Sequence, residues 1–136
     1  MAKFRGVELV KEVREALDRG QAQFVTNTQS KLSASSPVDT GRLASSWFVG
    51  KGNPDRSTTP ERDEPGSVTI EKYSGKITIE DDWWVSNNLP YAARAAYDPG
   101  YVGRAGGGNG AWFSEIENNL NQDADRIFQR ELRKIR

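Results

Sequence analysis

Apolar positions in the first quarter of the chain recur at Val7, Val10, Val13, Leu17, Phe24 and Leu32, close to a 3.5-residue step. That period predicts one helix over Phe4–Leu32, roughly 40 Å long at ~1.5 Å per residue. Gly20 is its weak point, at a cost of ~1 kcal/mol relative to Ala. "SASSP" ends it, because Pro37 disfavours helical geometry at Ser36. A helix this long either lies across a sheet or turns part of its apolar stripe to another subunit.

Period-two alternation follows at Ser67–Val85, where "VTIEKY" and "KITIE" flank Ser74-Gly75. This predicts a hairpin with Val68, Ile70, Ile77, Ile79 and Trp83 on one face and Thr69, Glu71, Thr78 and Glu80 on the other. Ala92–Ala96 is expected to form a short helix after Pro90. A second long helix is expected over Ser114–Arg136, with Ser114 and Glu117 as a capping box and a stripe of Ile116, Leu120, Ala124, Ile127, Leu132 and Ile135. The fold class is α+β: a long N-terminal helix, a small antiparallel sheet with a hairpin at about 67–85, and a long C-terminal helix. Residues 1–136 read as a single domain, with mobile loops at about 50–66 and 100–110 that lack apolar anchors.

Between these elements stands "SPVDTGRLASSW", Ser36 to Trp47. Asp39 or Thr40 is suited to cap a new helical turn. Gly41 permits an unusual dihedral. Arg42 is available to pair with a carboxylate, and Leu43 and Trp47 are placed four apart to share one buried face.

Composition narrows the chemistry. The chain has no Cys and no His, which removes disulfides, thiolate metal sites and the commonest general base. Its 19 basic and 19 acidic residues cancel, unlike a protein that wraps nucleic acid. No apolar run approaches the ~20 residues of a membrane span. The N-terminus lacks a signal-peptide core, so a cytosolic product is expected. "GRAGGGNG" lacks the ending of a phosphate-binding loop. Asp81, Asp82 and Asp98 are candidates for a small carboxylate-dependent enzyme or a Mg²⁺ or Ca²⁺ site, although adjacent strand residues point apart. Arg126, Arg130, Arg133, Lys134 and Arg136 make a basic tail that suits a nucleic-acid-binding module, set against a solvated helix face beside Asp125 and Glu131. Neither alternative has an organised site in the sequence; catalysis, cofactors and resident metals are not expected.

Two motifs taken together point elsewhere. Pro37, Val38, Asp39, Thr40, Gly41, Leu43 and Ser46, with Arg42 inside the run, resemble the signature of a family of tailed-phage neck or tail-completion proteins. About forty residues later Asn87 or Asn88, then Pro90, Tyr91 and Ala92, resemble the family's second motif. The chain departs from the family near Ala96, where a Glu is common. The resemblance implies a structural virion protein without catalysis. It implies a homo-oligomeric ring at the head–tail junction that completes the tail and joins it to the head. Six copies are expected from tail symmetry, with twelve as the alternative. The implied neighbours are the connector, stopper or tail-terminator and tail-tube proteins. DNA contact is incidental, through the channel lining, and no membrane is involved. The implied location is the virion neck, with assembly in the host cytoplasm.

Overall fold

The structure is a computed structural model that describes residues 6–61, 67–98, 100, 101, 103, 106–108 and 110–135. Expectations placed on Phe4, on 62–66, on parts of the 100–110 loop and on Arg136 lie outside the described residues. Helix α1 spans Gly6–Ser35, the four-residue α2 spans Arg42–Ser45, and strand β1 spans Trp47–Lys51. Strand β2 follows at Trp83–Asn87, then α3 at Ala92–Tyr97 and α4 at Trp112–Leu132. The expected α+β class and both long helices are present.

Helices α1 and α4 pack against each other antiparallel. Lys31 of α1 pairs with Asp123 of α4 at 2.5 Å, and Arg19 pairs with Glu131 at 3.1 Å. Between those ties a Cβ at Gly20 would lie 2.6 Å from the Phe128 ring. Gly20 is therefore a point of close helix crossing, more than a soft spot in the helix.

Among the described residues the sheet has two strands, paired antiparallel with Trp47 opposite Asn87 and Lys51 opposite Trp83. The hairpin expected at about 67–85 does not form; only its last residues, Trp83 to Val85, enter a strand, and their partner is β1. A two-residue turn at Ser74-Gly75 would put Tyr73 and Ile77 on opposite faces. Instead Tyr73 and Ile77 share one cluster with Val25, Val49 and Trp83, while Val68 and Ile79 are exposed. The segment's backbone groups are bonded to side chains, most of them from elsewhere in the chain. Thr69 N–H donates to Ser45 Oγ, and Ile79 N–H donates to Asp18 Oδ1. Gln29 Nε2 donates to the Glu71 carbonyl, and Trp83 Nε1 donates to the Thr78 carbonyl. Those bonds take the place of a ladder. The run Trp47-Phe48-Val49 supplies the missing strand, as its aromatic and β-branched residues favour.

Two further expectations shift. Trp47 lies in β1, so it does not share a face with Leu43. Leu43 packs with Leu89 and Ala95, whereas Trp47 packs with Leu32 and Trp112. Helix α4 starts at Trp112 with Ala111 at its N-cap and no side-chain cap, so the Ser114–Glu117 box is not its start. The core draws the start forward: Trp112 is buried, edge-on to Trp47 at 6.4 Å, with its Nε1 donating to the Ala95 carbonyl.

Candidate functional site

Ser36 to Trp47 forms a hub between α1, β1 and two loops. Ser36 Oγ donates to the Leu32 carbonyl and accepts from Trp47 Nε1 at 2.8 Å. Gly41 is the N-cap of α2 with φ 87°, a conformation that glycine adopts without strain. Gly41, the N-cap, has no side chain to cap with, but Thr40 Oγ1 accepts from the N–H of Arg42, the first residue of α2, at 3.3 Å, as expected of Asp39 or Thr40. Arg42 does reach a carboxylate, 3.6 Å from Glu61, and its Nε donates to the Thr59 carbonyl. Ser46 Oγ donates to the Arg42 carbonyl and lies 2.8 Å from Thr59 Oγ1. The described part of the 50–66 loop is thus held by polar bonds where apolar anchors are lacking. Ser86 Oγ donates to the Asp55 carbonyl and Asn88 Nδ2 to the Arg56 carbonyl, which lay the same loop along β2.

Gly106 and Gly108, of the glycine-rich stretch, close over the hub. Val38 N–H donates to the Gly106 carbonyl at 2.7 Å, and Gly108 N–H to the Ser35 carbonyl. A Cβ at Gly107 would fall 2.3 Å from the Ser36 carbonyl oxygen, and one at Gly108 2.4 Å from the Pro37 ring. Gly107 and Gly108 thus serve close approach, as well as permitting their positive φ angles.

The two motif segments meet in space. Asn87 Nδ2 donates to the Leu43 carbonyl at 2.8 Å, so Asn87, rather than Asn88, joins them. Tyr91 and Ala92 pack on the Leu43–Leu89–Ala95 cluster. Pro90 is exposed in the turn that leads into α3. Burial raises the Tyr91 phenol above its ordinary value, and the nearby Arg42 guanidinium acts in the opposite direction. Pro37 and Gly41 are buried, whereas Val38, Asp39, Thr40 and Arg42 are half-buried. Two core residues escape any reading by apolar pattern. Gln29 is 1% exposed and bridges the Trp47 and Glu71 carbonyls, and Glu131 is as deeply buried. Their polar character conceals their position.

The other candidates are dispersed. Asp81 lies 3.6 Å from Lys51 and Asp98 lies 3.7 Å from Arg94, while Asp82 is exposed beside β2. Among the described residues no group of three His, Cys, Asp or Glu is placed to hold a metal ion. In the basic tail, Arg126 pairs with Asp123, Lys134 with Glu131, and Arg130 donates to Gln23.

Two apolar features remain open. The first is the start of α1. Leu9, Val10, Val13 and Leu17 continue, at steps of three and four, the line of Gly20 and Phe24 that faces α4. Helix α4 ends at Leu132, close to the level of Arg19; beyond it Val13 is half-buried and Leu9 and Val10 are exposed. Val7 is 83% exposed and Val10 is 69% exposed. The second is a groove of about 250 Å³ between α1, β2 and α4, lined by Phe24, Val25, Val85, Phe113, Ile116 and Leu120. Among the described residues, no helix is long and apolar enough to cross a membrane. No family model matches the chain, and no curated protein or solved structure does.

Proposed function

We propose that the chain is a structural subunit of a tailed-phage virion, forming a homo-oligomeric ring at the head–tail junction that completes the tail and joins it to the head. The ring has six copies in this reading, with twelve as the alternative. Its neighbours are connector, stopper, tail-terminator or tail-tube proteins, and it works by assembly without catalysis.

The observation that carries the reading is the uncovered start of α1. A helix of 30 residues, ~45 Å long, faces a helix of 21 residues and strands of five. Aliphatic side chains left in water on a continuing helical seam are what a subunit held by its neighbours requires. The joining of residues 37–46 with 87–92 supports reading the two motifs as parts of one unit.

The test is a tagged chain supplied to phage that lack it. Electron microscopy of the purified particles is expected to place the tag at the neck, and particles without the chain are expected to lack joined tails. Normal infectious particles without the chain would overturn the proposal.

A further inference from the structure

The start of α1 is convex and apolar, and the groove between α1, β2 and α4 is concave and apolar. Both are on the same chain and both are open. We infer that a second copy of this chain fills the groove: Val7 and Val10 of one subunit seat among Phe24, Phe113 and Leu120 of the next. The inference rests on the ring reading and names its contact.

Three observations carry it. First, size: the groove of about 250 Å³ exceeds the ~150 Å³ cavity that holds a benzene ring, so branched aliphatic side chains fit it. Second, economy of surface: one head-to-tail contact covers both open features in every copy. A two-fold pairing of α1 with α1 would cover the stripe and leave the groove in water. Third, charge: Glu117 stands at the groove and is exposed, and among the described residues no cation pairs with it. Lys11, next to Val10, has a side chain 78% exposed and is only 4.0 Å from Glu15. Seating the stripe in the groove brings Lys11 to the rim that carries Glu117. A contact of this kind repeats in one direction, as a closed ring demands.

The test is self-association of the full chain by sedimentation, with thermal melting as the control for folding. Val10→Asp places a carboxylate in the groove and is expected to weaken association at least about tenfold, with no change in melting, since Val10 is exposed. Lys11→Glu and Glu117→Lys are each expected to weaken it about two- to fivefold, the scale of a rim ion pair, and the double variant to recover it. Because the chain has no Cys, Val10→Cys mixed with Glu117→Cys is expected to give crosslinks between unlike copies. Crosslinks formed by the Val10→Cys chain with itself, together with no effect of Glu117→Lys, would overturn this contact and leave the ring reading standing. A wild-type chain that stays monomeric at every concentration also overturns the contact, while the tagged-particle experiment judges the neck reading separately.

Discussion

Gly20 shows how one missing methyl sets a distance. In an isolated helix Gly20→Ala would gain ~1 kcal/mol of propensity. Here the new Cβ would meet two Phe128 ring atoms at 2.6 and 2.9 Å. Overpacking of this kind costs ~1–3 kcal/mol, which outweighs the gain. Gly20→Ala is therefore expected to lower the melting temperature by several degrees, and adding Phe128→Leu to recover part of the loss. A rise in melting temperature on Gly20→Ala alone would refute the crossing contact. The sequence shows a glycine inside a helical pattern; it does not show which ring faces it, because that partner is far along the chain, in the last helix.

At the scale of elements, the loops are held by hydroxyls. Ser46 and Thr59 exchange bonds that tie α2 to the described part of the 50–66 loop, and Ser45 ties α2 to Thr69. Ser46→Ala leaves the Thr59 N–H without its acceptor, while the Thr59 hydroxyl keeps the Arg42 carbonyl; the loss is about 1 kcal/mol. Hydrogen exchange at residues 57–59 is expected to rise in that variant while α4 keeps its protection. Equal exchange in both proteins would count against the hub. The long helices are legible from periodicity because their apolar stripes are nearly continuous. The hairpin is not, because alternation in "VTIEKY" and "KITIE" reports local β preference alone. It does not report that Gln29, Ser45, Asp18 and Trp83 have side chains aimed at that backbone. The motif residues are legible one by one. Their meeting through Asn87 depends on β2, whose partner β1 begins at Trp47, a residue that its spacing from Leu43 assigns to a helical face.

Across the whole molecule, one carboxylate clamps the two long helices. Glu131 is 1% exposed and accepts from Gln23, Lys134 and Arg19. The Gln23 and Lys134 bonds, with help from Arg19, outweigh burial and lower its pKa to about 2 from 4.5. The folded chain keeps this group ionised where the unfolded chain takes up a proton. Its contribution is thus fully present above pH ~4.5 and is lost as the pH falls towards ~2. Glu131→Gln is expected to be less stable than wild type at pH 7. The gap should narrow on acidification below ~4.5 and close near ~2, as read by chemical denaturation at each pH. A gap that stays constant across that window would exclude the clamp.

The same clamp sets an order of events on the ribosome. Arg19 meets Glu131 across 112 positions of sequence. At ~5–20 residues added per second, α1 leaves the tunnel several seconds to tens of seconds before its partner helix exists. During that interval the face of α1 around Gly20 and Phe24, which meets Phe128 and Leu120, lacks its cover. A nascent helix in that condition is a substrate for chaperones and for neighbouring polysomes, and the tie to α4 is the event that ends its vulnerability. Folding yield in cells should therefore depend more on how quickly the last quarter is made than on the intrinsic stability of the first.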